Sequence, residues 1–162
     1  MLIETWMTRR VHVVKPLDSI QHAREVMEAN RVNQLPVVVD SRLVGIITDR
    51  DLRDAYPSVF DSAQHRKHLK DDPLTEPSAI VVETVMTPHV VTLGQKDPVV
   101  AAARRMRQER IGAIPIVDDG RLVGIIARSD ILDAFAALAA WEASPPGQHA
   151  GEQKQEGKRP RR

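Results

Sequence analysis

Gly45-Ile46-Ile47-Thr48-Asp49-Arg50-Asp51 is written again 79 residues later as Gly124-Ile125-Ile126-Ala127-Arg128-Ser129-Asp130. Each copy is a short apolar run, a polar turn and an aspartate that opens a new apolar-periodic segment. This is the pattern of a strand running into a helix start, whose first N–H groups have no partner within the helix and can hold a polar ligand. The copies differ at two functional positions, Thr48 against Ala127 and Arg50 against Ser129.

Outward from these stretches the two halves overlay without a gap from Thr5 to Tyr56. Thr5, Met7 and Thr8 meet Thr84, Met86 and Thr87. Asp18 meets Asp97, Met27 meets Met106, Arg31 meets Arg110 and Pro36 meets Pro115. Arg42-Leu43-Val44-Gly45-Ile46-Ile47 is identical to Arg121-Leu122-Val123-Gly124-Ile125-Ile126. A repeat of this length predicts duplicated units that pack on one another.

Each unit reads β-α-β-β-α. Val11–Val14 is a β-rich run. Asp18 is expected to cap a helix, with Gln21 completing a capping box, and Asp97 to cap its twin, with Pro98 as the first helical residue. The helices carry apolar stripes Ile20, Ala23, Val26, Met27 and Val99, Ala102, Ala103, Met106. Leu35–Val39 and Leu43–Ile47 form a hairpin around Asp40-Ser41; its twin turns at Asp118-Asp119-Gly120. These strands are apolar almost throughout, so both faces are expected to be covered. Asp51 and Asp130 each begin a second helix, the later one reaching Trp141 or Glu142. The organisation is thus residues 1–56 as unit one, 57–83 as connector, 84–143 as unit two and 144–162 as a disordered basic tail. The connector is read as a short helix over Ser58–Leu69 and an extended run over Ala79–Val82.

Composition bounds the function. The 162 residues are 42% hydrophobic but only 3% aromatic, so the core must be aliphatic. With no cysteine there is no disulfide, no cysteine-ligated metal and no thiol nucleophile, which fits a reducing, cytoplasmic setting. No apolar run approaches the length of a membrane span. Net charge is +1; the tail holds five Lys/Arg and two Glu, leaving the remainder at −2. Such a body is not a nucleic-acid-binding surface on electrostatic grounds.

These features together resemble the tandem CBS domain pair, or Bateman module, over about Leu2 to Ala140. The carrying motifs are the gapless repeat, the Met-Thr before the first strand, the apolar-Pro-Val/Ile start of the second strand and the terminal aspartate. Ile47-Thr48-Asp49-Arg50-Asp51 followed by Tyr56-Pro57-Ser58-Val59-Phe60 is similar to the bacterial acetoin-utilisation AcuB type, here without an ACT domain. The resemblance implies an α/β (α+β) fold in which two β-α-β-β-α units pack sheet to sheet with pseudo-two-fold symmetry. It further implies a homodimer through the CBS units and clefts between units that take adenosine compounds. AMP, ADP and ATP lead; S-adenosylmethionine and NAD rank behind them, and none is a required cofactor. An effector protein would read the change. In such pairs the aspartate takes the ribose hydroxyls, the Thr/Ser assists, and residues of the first strand and the Pro-led strand flank the adenine.

The site residues carried over are Thr48, Arg50 and Asp51 in the first motif and Arg128 and Asp130 in the second, with Met7, Thr8, Pro36, Thr87 and Pro115 around them. A carboxylate can accept both hydroxyls of a vicinal diol. The bland reading is that Thr48 or Asp49 caps the helix and Asp51 favours its positive end. Ala127 lacks the hydroxyl, and a lost hydrogen bond costs about 1 kcal/mol, or about five- to tenfold in affinity. Arg50 either reaches a phosphate or pairs with Asp54. Basic phosphate contacts before the Pro-led strands are missing at Asn33-Gln34 and Gly112-Ala113, which favours fewer phosphates or a neutral or cationic adenosine compound. Arg31 and Arg110 read as solvated helix-end cations. His65-x-x-His68 has metal-ligand spacing but lies among Arg66, Lys67 and Lys70, which oppose a cation. No catalytic constellation is present, so the chain is read as a non-enzyme. The alternative to a ligand-binding module is a ligand-free CBS dimerisation or interaction scaffold.

Overall fold

The computed structural model describes residues 1–55 and 78–143. The helix expected over Ser58–Leu69, the His65/His68 pair, the AcuB-like Tyr56–Phe60 stretch and the tail lie outside them.

The chain is α+β. Its elements are α1 (Ile3–Trp6), α2 (Ile20–Asn30), β1 (Gln34–Val39), β2 (Arg42–Thr48), α3 (Asp49–Ala55), a 3₁₀ turn (Val82–Thr84), α4 (Val99–Glu109), β3 (Ala113–Asp118), β4 (Arg121–Ala127) and α5 (Arg128–Glu142). The strand order is β1-β2-β4-β3. Two units separate. One comprises Arg10–Val91 and Val117–Leu122 and contains Asp51. The other comprises Met1–Arg9, Thr92–Ile116 and Val123–Arg162 and contains Asp130.

In the Asp51 unit the core is Val14, Ile20, Ala23, Met27, Leu35, Val37, Ile47, Leu52 and Val82. In the Asp130 unit it is Ile3, Met7, Val99, Ala102, Met106, Ile114, Ile116, Ile126 and Ala134. Both are aliphatic, as the scarcity of aromatic residues requires. Fully burying each Ile, Val or Met contributes about 1.5–3 kcal/mol. The helical stripes face these cores at Ile20, Ala23 and Met27 and at Val99, Ala102 and Met106; Val26 and Ala103 are half-buried.

Asp40 and Ser41 both adopt positive φ (49° and 69°), as do Asp119 and Gly120 (48° and 77°), the backbone that a tight two-residue hairpin needs. The first hairpin pairs Val39 with Arg42 and Val38 with Leu43. A register shift then places Val37 opposite Gly45, Pro36 opposite Ile46 and Gln34 opposite Thr48. Counting outward from the turn without that bulge would set Pro36 against Gly45. β1 and β3 are covered on both faces, Leu35–Val37 and Ala113–Ile116 being buried in succession, whereas β2 and β4 are covered mainly on one. In β2, Gly45 and Ile47 are buried while Ile46 and Thr48 are half-buried, and β4 repeats this at Gly124, Ile126, Ile125 and Ala127.

Several local expectations shift. Val11–Val14 is not a strand: Val14 alone forms a parallel bridge, to Val37, matched by Leu93 to Ile116. Ala79–Val82 is not an extended run; Val81 makes one bridge to Ser19 before the 3₁₀ turn begins. Ser19, not Asp18, caps α2, its side chain accepting from the His22 N–H at 3.1 Å. Pro98 is the N-cap of α4 rather than its first residue. Asp18 and Asp97 instead close the preceding turns, accepting from the Lys15 and Gly94 N–H groups, each at 2.7 Å.

The repeats also exchange their leading segments. Thr8 bridges to Ile125, and its twin Thr87 bridges to Ile46. Leu2 bridges to Pro98, and Val81 to Ser19. The Ile3 N–H donates to the Asp97 carbonyl (2.9 Å), and that of Val82 to the Asp18 carbonyl (2.8 Å). Each unit is therefore completed by the leader of the other repeat.

Candidate functional site

The exchange sorts the candidate residues into two sets: Pro36, Thr48, Arg50, Asp51 and Thr87 in one unit, and Met7, Thr8, Pro115, Arg128 and Asp130 in the other. In the Asp51 unit the register builds a row. Pro36 lies opposite Ile46, and Ile46 is bridged on its other side by Thr87. Thr48 follows Ile46 by two residues, so it stands on the same face of β2. That face is opposite the core face of Leu35, Val37 and Ile47. Pro36 and Pro115 are fully buried, whereas Thr8 and Thr87 are exposed.

At the end of β2 the chain turns into α3, which starts at Asp49. Asp51 is thus the third helical residue rather than the first. Thr48 and Asp51 close a reciprocal capping box. The Asp51 Oδ2 accepts from the Thr48 backbone N–H (2.8 Å) and from its hydroxyl (2.7 Å), while the Asp51 N–H donates to Thr48 Oγ1 (3.2 Å). The bland reading of these residues is therefore real. It uses one carboxylate oxygen; Oδ1 takes no bond from the described residues. A carboxylate oxygen has two lone pairs, so Oδ1 can still accept from a diol.

The twin junction is half-built. The Ala127 N–H donates to Asp130 Oδ2 at 2.8 Å, but no hydroxyl completes the box. Asp130 is 7% exposed, the one buried charged side chain among the described residues. The Arg128 guanidinium donates to the Ile111 carbonyl at 3.1 Å, and the Arg128 N–H donates to the Gly112 carbonyl at 3.1 Å. The latter bond matches that from the Asp49 N–H to the Asn33 carbonyl (2.9 Å). Arg50 lies 3.9 Å from Asp54, both highly exposed, so its bland pairing is present as well. Arg31 and Arg110 end their helices in left-handed backbone (φ 53° and 56°) and are exposed.

Met7 is 4% exposed and belongs to the Asp130 unit's core. Its sulfur lies against Gly124, where a Cβ would fall 2.6 Å from it and 3.1 Å from the Thr8 carbonyl. Met86 packs on Gly45 in the same way, a Cβ there landing on the Met86 sulfur. These glycines are required by close approach of a side chain. Gln34, named from the sequence only as an uncharged position before the Pro-led strand, lies opposite Thr48, a pairing set by a bulge that has no clear signature in the residues.

Among the described residues no group of three His, Asp or Glu side chains could hold a metal ion, and no helix is long and apolar enough to cross a membrane. Fold and junctions define a tandem α+β repeat with a carboxylate-capped strand–helix turn in each copy. The CBS domain model matches residues 3–58 and 82–137, and the chain belongs to that family as a tandem pair. A CBS domain-containing protein of Dictyostelium discoideum is 35% identical over 147 residues, covering 90% of this chain and 97% of its own length. The crystal structure of CBSX2 in complex with AMP, a protein of Arabidopsis thaliana, is 30% identical with a TM-score of 0.69, covering 85% of this chain and 98% of that one. A structure assigned to acetoin utilization (AcuB) from Vibrio cholerae is 27% identical with a TM-score of 0.71, covering 90% of this chain and 98% of that one.

Proposed function

We propose that this chain is a regulatory module that binds an adenosine-containing ligand of the AMP, ADP or ATP class on the Asp51 unit. The observation that carries the reading is the assembly of Thr87, Pro36, Thr48 and Asp51 into one unit, with Asp51 Oδ1 left for a ribose diol. The AMP complex of CBSX2, similar over 85% of the chain, supports the ligand class. Asn33 and Gln34 supply no charge for a phosphate chain, which favours AMP over ATP. S-adenosylmethionine and NAD stand behind these. The ligand alters the packing of the module, and a separate effector protein in the cytoplasm reads the change; the chain itself performs no catalysis and engages neither membrane nor nucleic acid.

A ligand that binds only the folded state adds about 2.7 kcal/mol of stability at a hundred times its Kd. A thermal-shift series with AMP, ADP, ATP, S-adenosylmethionine and NAD tests this directly. AMP is expected to give the largest upward shift; no shift with any compound at millimolar concentration would refute the reading.

One observation favours the scaffold reading. The capping box already gives Thr48 and Asp51 a complete structural role. On that reading no nucleotide binds, and Asp51→Ala leaves oligomeric state and partner binding unchanged.

A further inference from the structure

We propose that the far end of the Asp51 unit holds a second small-molecule site, one for a free aliphatic α-amino acid. A cavity of about 670 Å³ opens there, between the turn leading into α2 and the tip of the first hairpin. Small-molecule sites span about 300–1,000 Å³. Leu17, Val38 and Val39 give the cavity apolar walls, and Lys15 and Glu83 stand exposed on its rim. Gln34, opposite Thr48, begins β1 and Val39 ends it, so about 16 Å of strand separates this cavity from the Thr48–Asp51 junction.

The other repeat shows that the fold does not ask for these residues. Leu17 and Val39 are 75% and 45% exposed, and at the 79-residue offset Lys96 and Asp118 stand in their places. Gln95 stands for Pro16, and its side chain accepts from the Arg9 guanidinium at 3.3 Å. Apolar side chains held in water around a cavity, in one copy only, mark a binding surface.

The polar groups identify the occupant. The Glu83 N–H donates to the Pro16 carbonyl (3.0 Å), so Lys15 and Glu83 flank the same proline. Neither side chain has an ion-pair partner among the described residues. The Val38 N–H donates to the Val14 carbonyl (2.9 Å), but the next rung would need an N–H from Pro16, which proline lacks. The Val38 carbonyl therefore takes no bond from that segment. A cation for a carboxylate, an anion and an open carbonyl for an ammonium, and aliphatic walls beside them match an amino-acid zwitterion. A nucleotide would bring its phosphates against Glu83 and Asp40. The proposal does not rest on the adenosine reading.

Titration of L-leucine into the full chain, followed by amide NMR, tests it. Saturable binding at millimolar concentration is expected, with shifts centred on residues 15–17, 38–41 and 83. Isocaproate, which lacks the ammonium, and isoamylamine, which lacks the carboxylate, should each bind about tenfold more weakly or worse. Leu17→Lys and Val39→Asp install the other repeat's residues at exposed positions, and each should weaken leucine about tenfold or more while circular dichroism stays that of the wild type. Lys15→Gln and Glu83→Gln should each cost about five- to tenfold. No saturable binding of leucine, or shifts centred elsewhere, would overturn the proposal. So would either half-ligand binding as tightly as leucine, or a folded Leu17→Lys chain that binds it like the wild type.

Discussion

The two strand-to-helix junctions share a backbone path and a carboxylate, yet only one has a hydroxyl at its N-cap. At Thr48 the hydroxyl both donates to Asp51 and accepts from its N–H, so cap and carboxylate fix each other. At Ala127 the carboxylate of Asp130 accepts from the Ala127 N–H, with no hydroxyl at that N-cap to join it, and is 7% exposed. Duplication thus preserved the fold-making part of the motif, which needs an aspartate at the third helical position. It did not preserve the polar surroundings a ligand would use. The difference extends to the leaders: Met7 is buried in its unit's core, whereas Met86 is half-buried on its own.

The largest expected effect separates the leaders. Met7→Ala should destabilise the fold by about 3 kcal/mol and Met86→Ala by about 1–2 kcal/mol, because only the first opens a sealed cavity. Urea unfolding of the two variants measures both. Next come the glycines beneath them. Gly124→Ala should cost about 2 kcal/mol, since its Cβ meets both the Met7 sulfur and the Thr8 backbone carbonyl. Gly45→Ala meets only the Met86 side chain, which is half-exposed and can move, so thermal melts should show a smaller loss.

The caps should differ by less. Thr48→Ala should cost about 1 kcal/mol. Ala127 already has the extended backbone of a cap (φ −110°, ψ 170°), so Ala127→Thr should complete the second box and add about 0.5–1 kcal/mol. Equal melting temperatures for Ala127→Thr and wild type would show that Asp130 cannot use the hydroxyl. Smallest of all, Arg50→Ala should change stability by no more than about 0.5 kcal/mol, because its pairing with Asp54 is solvated. A larger loss in a denaturant titration would give Arg50 a structural role that its exposure does not suggest.

Much of this was legible in the residues. The 79-residue offset is real in space: Val14–Val37 and Leu93–Ile116 are the same bridge in two copies. Asp40-Ser41 turns as expected, the second turn narrows from Asp118-Asp119-Gly120 to Asp119-Gly120 because Asp118 ends β3, and α5 ends at Glu142. What could not be read was which copy pairs with which. Met7-Thr8 and Met86-Thr87 carry the same residues, as do Gly45-Ile46 and Gly124-Ile125. A one-dimensional pattern identical in both repeats cannot distinguish Thr8 on Ile46 from Thr8 on Ile125. The caps slipped for a local reason: Asp18 and Asp97 each accept from a donor three residues back, at Lys15 and Gly94. In the site, Thr48 and Asp51 were legible as a pair. Their mutual box was open to either reading, because capping and ligand binding call for the same two side chains.

The central claim is that the Asp51 junction is the fuller of two unequal ligand sites. Calorimetric titration of AMP into wild type, Asp51→Ala and Asp130→Ala measures it most directly. Asp51→Ala is expected to lose about tenfold or more in affinity, and Asp130→Ala markedly less. Equal losses, or a greater loss in Asp130→Ala, would contradict the account.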